Sequence, residues 1–190
     1  EIPVLTTTPA IMYTGSDAIS LLLAPGEKTN IFINQREICR RQSKLHREKK
    51  SDEANVYYGG YLAGLSAEIN KLNFQTEIDS DYPLFIQELK DKNAEEVKAY
   101  ILEKQQSKLR EIENLKATKA CKAVLHNAVN ASAASLLMFV PQIVQRVHIV
   151  NYKLKGEASK EYVKNNPVQL PDNFYDLLKD FSNLNTPEAL

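Results

Sequence analysis

The chain has no tryptophan, two cysteines, six glycines and no net charge. Each scarcity removes a class of protein. Cys39 and Cys121 are too few for a disulfide scaffold or a cysteine-built metal site. They pair as one bridge in an oxidising compartment, or stand apart as buried thiols. Six glycines, none in a GxxxxGK or GxGxxG pattern, leave no phosphate-cradling loop. With 24 basic and 24 acidic residues, the total charge gives no general argument for nucleic acid or membrane binding. Such an argument has to come from local clusters.

Catalytic patterns are equally scarce. His46, His126 and His148 have no carboxylate at metal-ligand spacing, and there is no HExxH or GxSxG. Asp79 and Asp81 share a loop, but two carboxylates alone carry little cation signal. The reading is therefore of a protein that is not an enzyme, with no metal and no cofactor. The chain opens at Glu1 without a charged–apolar–small leader pattern. A processed extracytoplasmic chain is favoured over a cytoplasmic one.

What is present is mostly helical pattern. Hydrophobic residues make up 43% of 190, enough for a globular domain. Residues 1–29 read as an extended arm rich in Thr and Pro, with a short helix near 16–24 ending at Pro25-Gly26. Residues 30–156 read as the helical body. Ile31, Ile38 and Leu45 recur every seven residues, the spacing of a coiled coil, until Asp52 ends the series. Tyr58, Leu62, Leu65, Ile69 and Leu72 then follow spacings of 4, 3, 4 and 3, one stripe of a helix. Gly60, Gly64 and Ala67 lie on a common face of that helix. Since each helical glycine costs up to about 1 kcal/mol relative to alanine, close approach of a second helix is the expected compensation.

Leu84, Ile86 and Leu89 predict a short helix after Pro83, and Asn93 with Glu96 has capping-box spacing. From Ala94 to Val140, 47 residues contain no Gly or Pro. A single helix of that length would run roughly 70 Å. The molecule is then either elongated or broken elsewhere, with Asn127–Ser132 the softest place. Pro141 predicts a kink or stop. Ile143, Val144, Val147 and Val150 resume the pattern up to Gly156. Residues 157–190 read as a linker and a short amphipathic helix carrying Phe174, Leu177, Leu178 and Phe181 at i, i+3, i+4 and i+7. The fold class expected is all-α, an elongated bundle of four to six helices. Its long members would span roughly 31–50, 52–75, 94–128 and 132–155.

Three segments suggest partners. Arg36, Arg40, Arg41, Lys44 and Arg47 lead a basic stretch, residues 36–50, with Asp52 and Glu53 directly after it. It reads as a solvated helix face, a phosphate contact or a surface for anionic lipid. Ala123 to Gln145 is 23 residues without a charge. That length spans a bilayer, but His126, Asn127, Asn130 and Gln142 make a buried bundle helix the better reading. A membrane-active element is the alternative. The last helix docks in a groove on its own body or on a neighbour. The function expected is a non-enzymatic structural or adaptor subunit of a larger assembly, with a protein partner or self-association ahead of nucleic acid or membrane.

Overall fold

A computed structural model describes residues 8–14, 17–36 and 56–181. The chain is not all-α. It mixes helices with antiparallel strands, and it divides into two compact units.

Residues 1–74 with 117–121 form the first unit. Strand β1 (Thr8–Thr14) pairs with β2 (Asp17–Leu23), and β3 (Thr29–Ile33) pairs with β4 (Val56–Gly60). The short helix expected near 16–24 is instead strand β2, with Ile19, Leu21 and Leu22 buried. Burial across consecutive positions suits a strand covered on both faces. Ile31, taken as the first term of a heptad series, lies in β3. The helix expected over 52–75 is also corrected. Val56-Tyr57-Tyr58 begins a strand, as a β-branched and aromatic run favours. Helix α1 (Ala63–Leu72) starts only after Gly59-Gly60.

Tyr58 therefore leaves the stripe, while Leu62, Leu65, Ile69 and Leu72 stay on it, half-buried. Helix α1 packs on β2 and β4. One hydrogen bond ties that helix to β2, and a second ties β4 to β2. The Leu22 N–H donates to the buried Ser66 Oγ at 3.0 Å, and the Tyr58 hydroxyl donates to the Ser20 carbonyl at 2.8 Å. Burial pushes the Tyr58 phenol up to about 12, so it stays a donor.

The second unit comprises residues 75–116 and 122–190. Helix α2 (Tyr82–Glu88) is capped by Asp81, whose Oδ1 accepts from the Leu84 N–H at 3.1 Å. Helix α3 (Ala94–Glu113) opens with the expected capping box: Asn93 Oδ1 accepts from the Glu96 N–H, and Glu96 Oε2 from the Asn93 N–H. Its buried face is Ala94, Val97, Ile101, Gln105 and Ile112.

Helix α4 (Lys119–Met138) follows a break at 114–118, not at the softer-looking 127–132. Thr118 explains the position. Its Oγ1 accepts from the Cys121 N–H three residues on, and Glu68 accepts from both the Thr118 N–H and hydroxyl at 2.6 Å. The polar residues of 127–132 break nothing: Asn127 is exposed to solvent, and Asn130 and Ser132 have partners. Asn130 Oδ1 accepts from Gln105 Nε2 at 2.7 Å, and Ser132 Oγ from the Ile78 N–H at 3.1 Å. Helix α4 is also not buried on nearly all sides. Cys121, Leu125, Val129, Ala133 and Leu137 form one buried stripe, while Asn127, Ala131 and Ser135 are exposed.

Phe139 interrupts the helix, and α5 (Val140–Asn151) leaves with a bend of 74° and Pro141 in its first turn. Helix α6 (Glu157–Asn165), a polar segment with no buried residue, extends beyond Gly156. The last helix among the described residues, α7 (Leu178–Phe181), is a single turn. Phe85, Leu89, Val97, Ile101, Leu137, Val140 and Phe174 centre the core. Each such side chain, fully buried, is worth roughly 1.5–3 kcal/mol.

Candidate functional site

The most prominent surface lies on the β3–β4 ladder. Register places Phe32 directly opposite Tyr57. Opposed residues of an antiparallel pair point to the same face, with Cβ atoms about 5 Å apart. Phe32 is 65% exposed and Tyr57 53%, and Tyr61, just past β4, is 74% exposed. On the other face of the ladder, Val56 is buried and Tyr58 reaches Ser20. The ladder thus turns Val56 and Tyr58 towards its own unit, with Ile33 on that face 37% exposed, and presents an aromatic pair on the other face. Such groupings of exposed large apolar side chains mark contact sites. The β-branched and aromatic runs Ile31-Phe32-Ile33 and Val56-Tyr57-Tyr58 were the available signal, and a helical reading of the same residues hid it.

Two clefts among the described residues of the second unit gather ionisable side chains. One, of about 270 Å³, is lined by Glu88, Tyr100, Lys104 and Lys108 among others. The Tyr100 hydroxyl donates to Glu88, Lys104 Nζ lies 3.3 Å from Glu88, and that ammonium also sits 5.0 Å from the centre of the Tyr100 ring. These contacts hold the Glu88 carboxyl below its usual range, while burial and Glu88 raise the Tyr100 phenol. Both groups therefore move away from neutrality, opposite to the tuning that acid–base catalysis needs. Burial lowers Lys108, whose Nζ donates to the Gln75 carbonyl at 2.6 Å.

The other cleft, of about 300 Å³, contains His148 between two tyrosines. Ring centres are 4.3 Å apart to Tyr152 and 4.0 Å to Tyr162. The Tyr152 hydroxyl donates to Asp91 Oδ1 at 2.8 Å, which raises that phenol. The stack fills the ring faces with one another. Among the described residues, no three His, Cys, Asp or Glu side chains gather as a metal site.

The residues singled out from sequence fare differently. Gly60 is in a strand, with φ of +106°, and an added Cβ would meet the Lys28 carbonyl oxygen at 2.1 Å. Gly64 faces open space and Ala67 is exposed. Among the described residues, no second helix lies against Gly60 or Gly64. Gly60 is needed where the end of β4 approaches the Lys28 carbonyl, and the common face dissolves because the helix starts after it.

Phe174 is 1% exposed and sits in the second unit's core, with Leu177 and Leu178 packed against it. Lys98 secures it: its Nζ donates to the Phe174 carbonyl at 3.0 Å and lies 4.4 Å from the ring centre. These anchors are engaged by their own chain. The Phe181 side chain lies outside the described residues, as do Arg40, Arg41, Lys44, Arg47, His46 and Cys39. Arg36, at the edge of that stretch, is exposed. Cys121 is buried, and burial with nearby Glu68 pushes its thiol up to about 11. That leaves it protonated and unreactive near neutral pH. No protein-family model, curated protein or solved structure matches the chain.

Proposed function

We propose that the chain is a non-enzymatic structural subunit whose first contact is a second copy of itself, made through the Phe32–Tyr57 face. The exposed cross-strand aromatic pair carries this reading. Aromatic side chains are the usual anchors of protein contacts, because they bury large area with little rotamer entropy. The balanced charge, 24 basic against 24 acidic residues, leaves no net repulsion between copies. Burying a face of this kind twice, about a twofold axis, makes an isologous contact that closes on itself. In the first cleft the Glu88 carboxyl is held down and the Tyr100 phenol is raised, the opposite of what acid–base catalysis needs, which favours a contact role over chemistry there.

The test is molar mass by light scattering across a hundredfold range of concentration. The native chain shifts towards a dimer or higher assembly, while Phe32→Ser and Tyr57→Ser remain at the monomer mass with unchanged circular dichroism. A native chain that stays monomeric throughout, or variants that associate equally well, would overturn the proposal.

A further inference from the structure

A different surface, in the second unit, has its own chemistry. Between α4 and α5 the chain reads Leu136-Leu137-Met138-Phe139-Val140. Leu137 and Val140 are core residues, yet the two between them stand out of the bend, Met138 57% and Phe139 53% exposed. Two adjacent large apolar side chains at a helix break are poor partners for water. No charged residue lies within 123–145 to solvate the tip.

The charges that flank this stretch all have one sign. From Asn114 to Gly156 there is no Asp or Glu, but there are Lys116, Lys119, Lys122, Arg146, Lys153 and Lys155. In a chain that is neutral overall, this is the longest acid-free stretch, with Lys122 3.9 Å from Glu113 at its edge. Arg146 is exposed on α5, two turns beyond Phe139, a rise of about 10 Å along that helix. Neither helix alone is long and apolar enough to cross a membrane; only the bent pair reaches that composition. Most of its apolar side chains are already spent on the core, including Leu125, Val129, Leu137 and Val147. The most exposed of those left over are Met138 and Phe139 at the tip, with Val150, near the far end of α5, 39% exposed. That is the arrangement of an interfacial wedge, not of a span: apolar side chains to enter the acyl boundary, and basic ones to meet the headgroups.

We infer that the α4–α5 elbow docks on anionic lipid bilayers, with Met138 and Phe139 inserted and Arg146 at headgroup level. The contact is independent of the aromatic face of the first unit, so Phe32→Ser leaves it intact.

Co-sedimentation of the full chain tests it, with vesicles of phosphatidylcholine alone and with phosphatidylserine added. The native chain partitions onto the anionic vesicles, and less so as salt is raised. Phe139→Asp and Met138→Asp each lower that partition by roughly tenfold or more, the scale expected for losing one buried apolar side chain. Both positions are exposed, so circular dichroism stays native. Arg146→Gln lowers the preference for anionic over neutral vesicles. Asn127→Asp, an exposed change on the same helix remote from the tip, adds the same charge and leaves binding unaltered. The inference is overturned if the native chain fails to sediment with anionic vesicles. Equal binding by Phe139→Asp and the native chain overturns it too, as does binding to duplex DNA that is indifferent to Phe139 with none to vesicles.

Discussion

The two units are held by different means. In the second, a contiguous set of buried side chains from α2, α3, α4, α5 and the Phe174 segment supplies the stability, and polar cross-links such as Gln105–Asn130 decorate it. Among the described residues of the first, the buried apolar set is small: Ile19, Leu21, Leu22, Ala24, Val56 and Cys121. Single polar contacts there decide how strands and helix meet, above all Ser66 with Leu22 and Tyr58 with Ser20. A core built from area tolerates the loss of any one hydrogen bond. A small strand–helix layer depends on backbone details, because each misplaced donor leaves a buried polar group unpaired.

Several substitutions would break or sharpen that contrast. Ile101→Ala, at a fully buried position of α3, should cost about 3 kcal/mol through lost transfer energy and the cavity left. Native-state hydrogen exchange would locate the loss in the second unit; an equal loss over β1–β4 would dissolve the distinction between the units. Gly60→Ala should cost about 2–3 kcal/mol, since φ is +106° and the new Cβ meets the Lys28 carbonyl at 2.1 Å. Gly64→Ala should instead stabilise, by up to about 1 kcal/mol, because nothing lies near its Cβ position within a helix. Urea denaturation of the pair separates them by sign, and two losses of equal size would return both glycines to a packed helix face.

Ser66→Ala should cost about 1–2 kcal/mol, as it strands the Leu22 N–H in a buried setting. A thermal melt followed at the strand signal reads it, and a neutral result would mean that the hydrogen bond does not hold α1 to β2.

The smallest effect concerns acid. Glu88 is held below its usual range by Tyr100 and Lys104, so folding favours its ionised form. Its contribution is present above the unfolded value and is lost as pH falls through the folded one. Urea midpoints of the native chain and Glu88→Gln should therefore differ at about pH 7 and converge at about pH 3. A gap that widens on acidification would reverse the sign of this account.

Much of the second unit was legible in the sequence. The Asn93 capping box, the helix after Pro83 and the break at Pro141 all rest on local chemistry, and the residues concerned behave accordingly. Asn127–Ser132 misled because a breaker-like sequence is harmless once Gln105 and the Ile78 N–H partner its side chains. Those partners are distant in sequence and leave no local trace. The first unit was misread for a related reason. The spacing from Tyr58 to Leu72 fits a helix stripe, but periodicity assigns faces only where a helix exists. Gly59-Gly60 and the preceding Tyr57-Tyr58 decide that the helix begins at Ala63. With β4 hidden, the Phe32–Tyr57 pair, the candidate site itself, could not be seen, because it exists only across a ladder. The Met138–Phe139 tip was visible as apolar sequence, while its exposure depends on the bend.

Hydrogen exchange by mass spectrometry at low and high protein concentration tests the central claim most directly, because it reports where copies meet as well as whether they do. The account predicts protection that rises with concentration in Thr29–Ile33 and Val56–Gly60 and is unchanged across α3 and α4. Protection independent of concentration in both strands, or a rise confined to the helices, would contradict it.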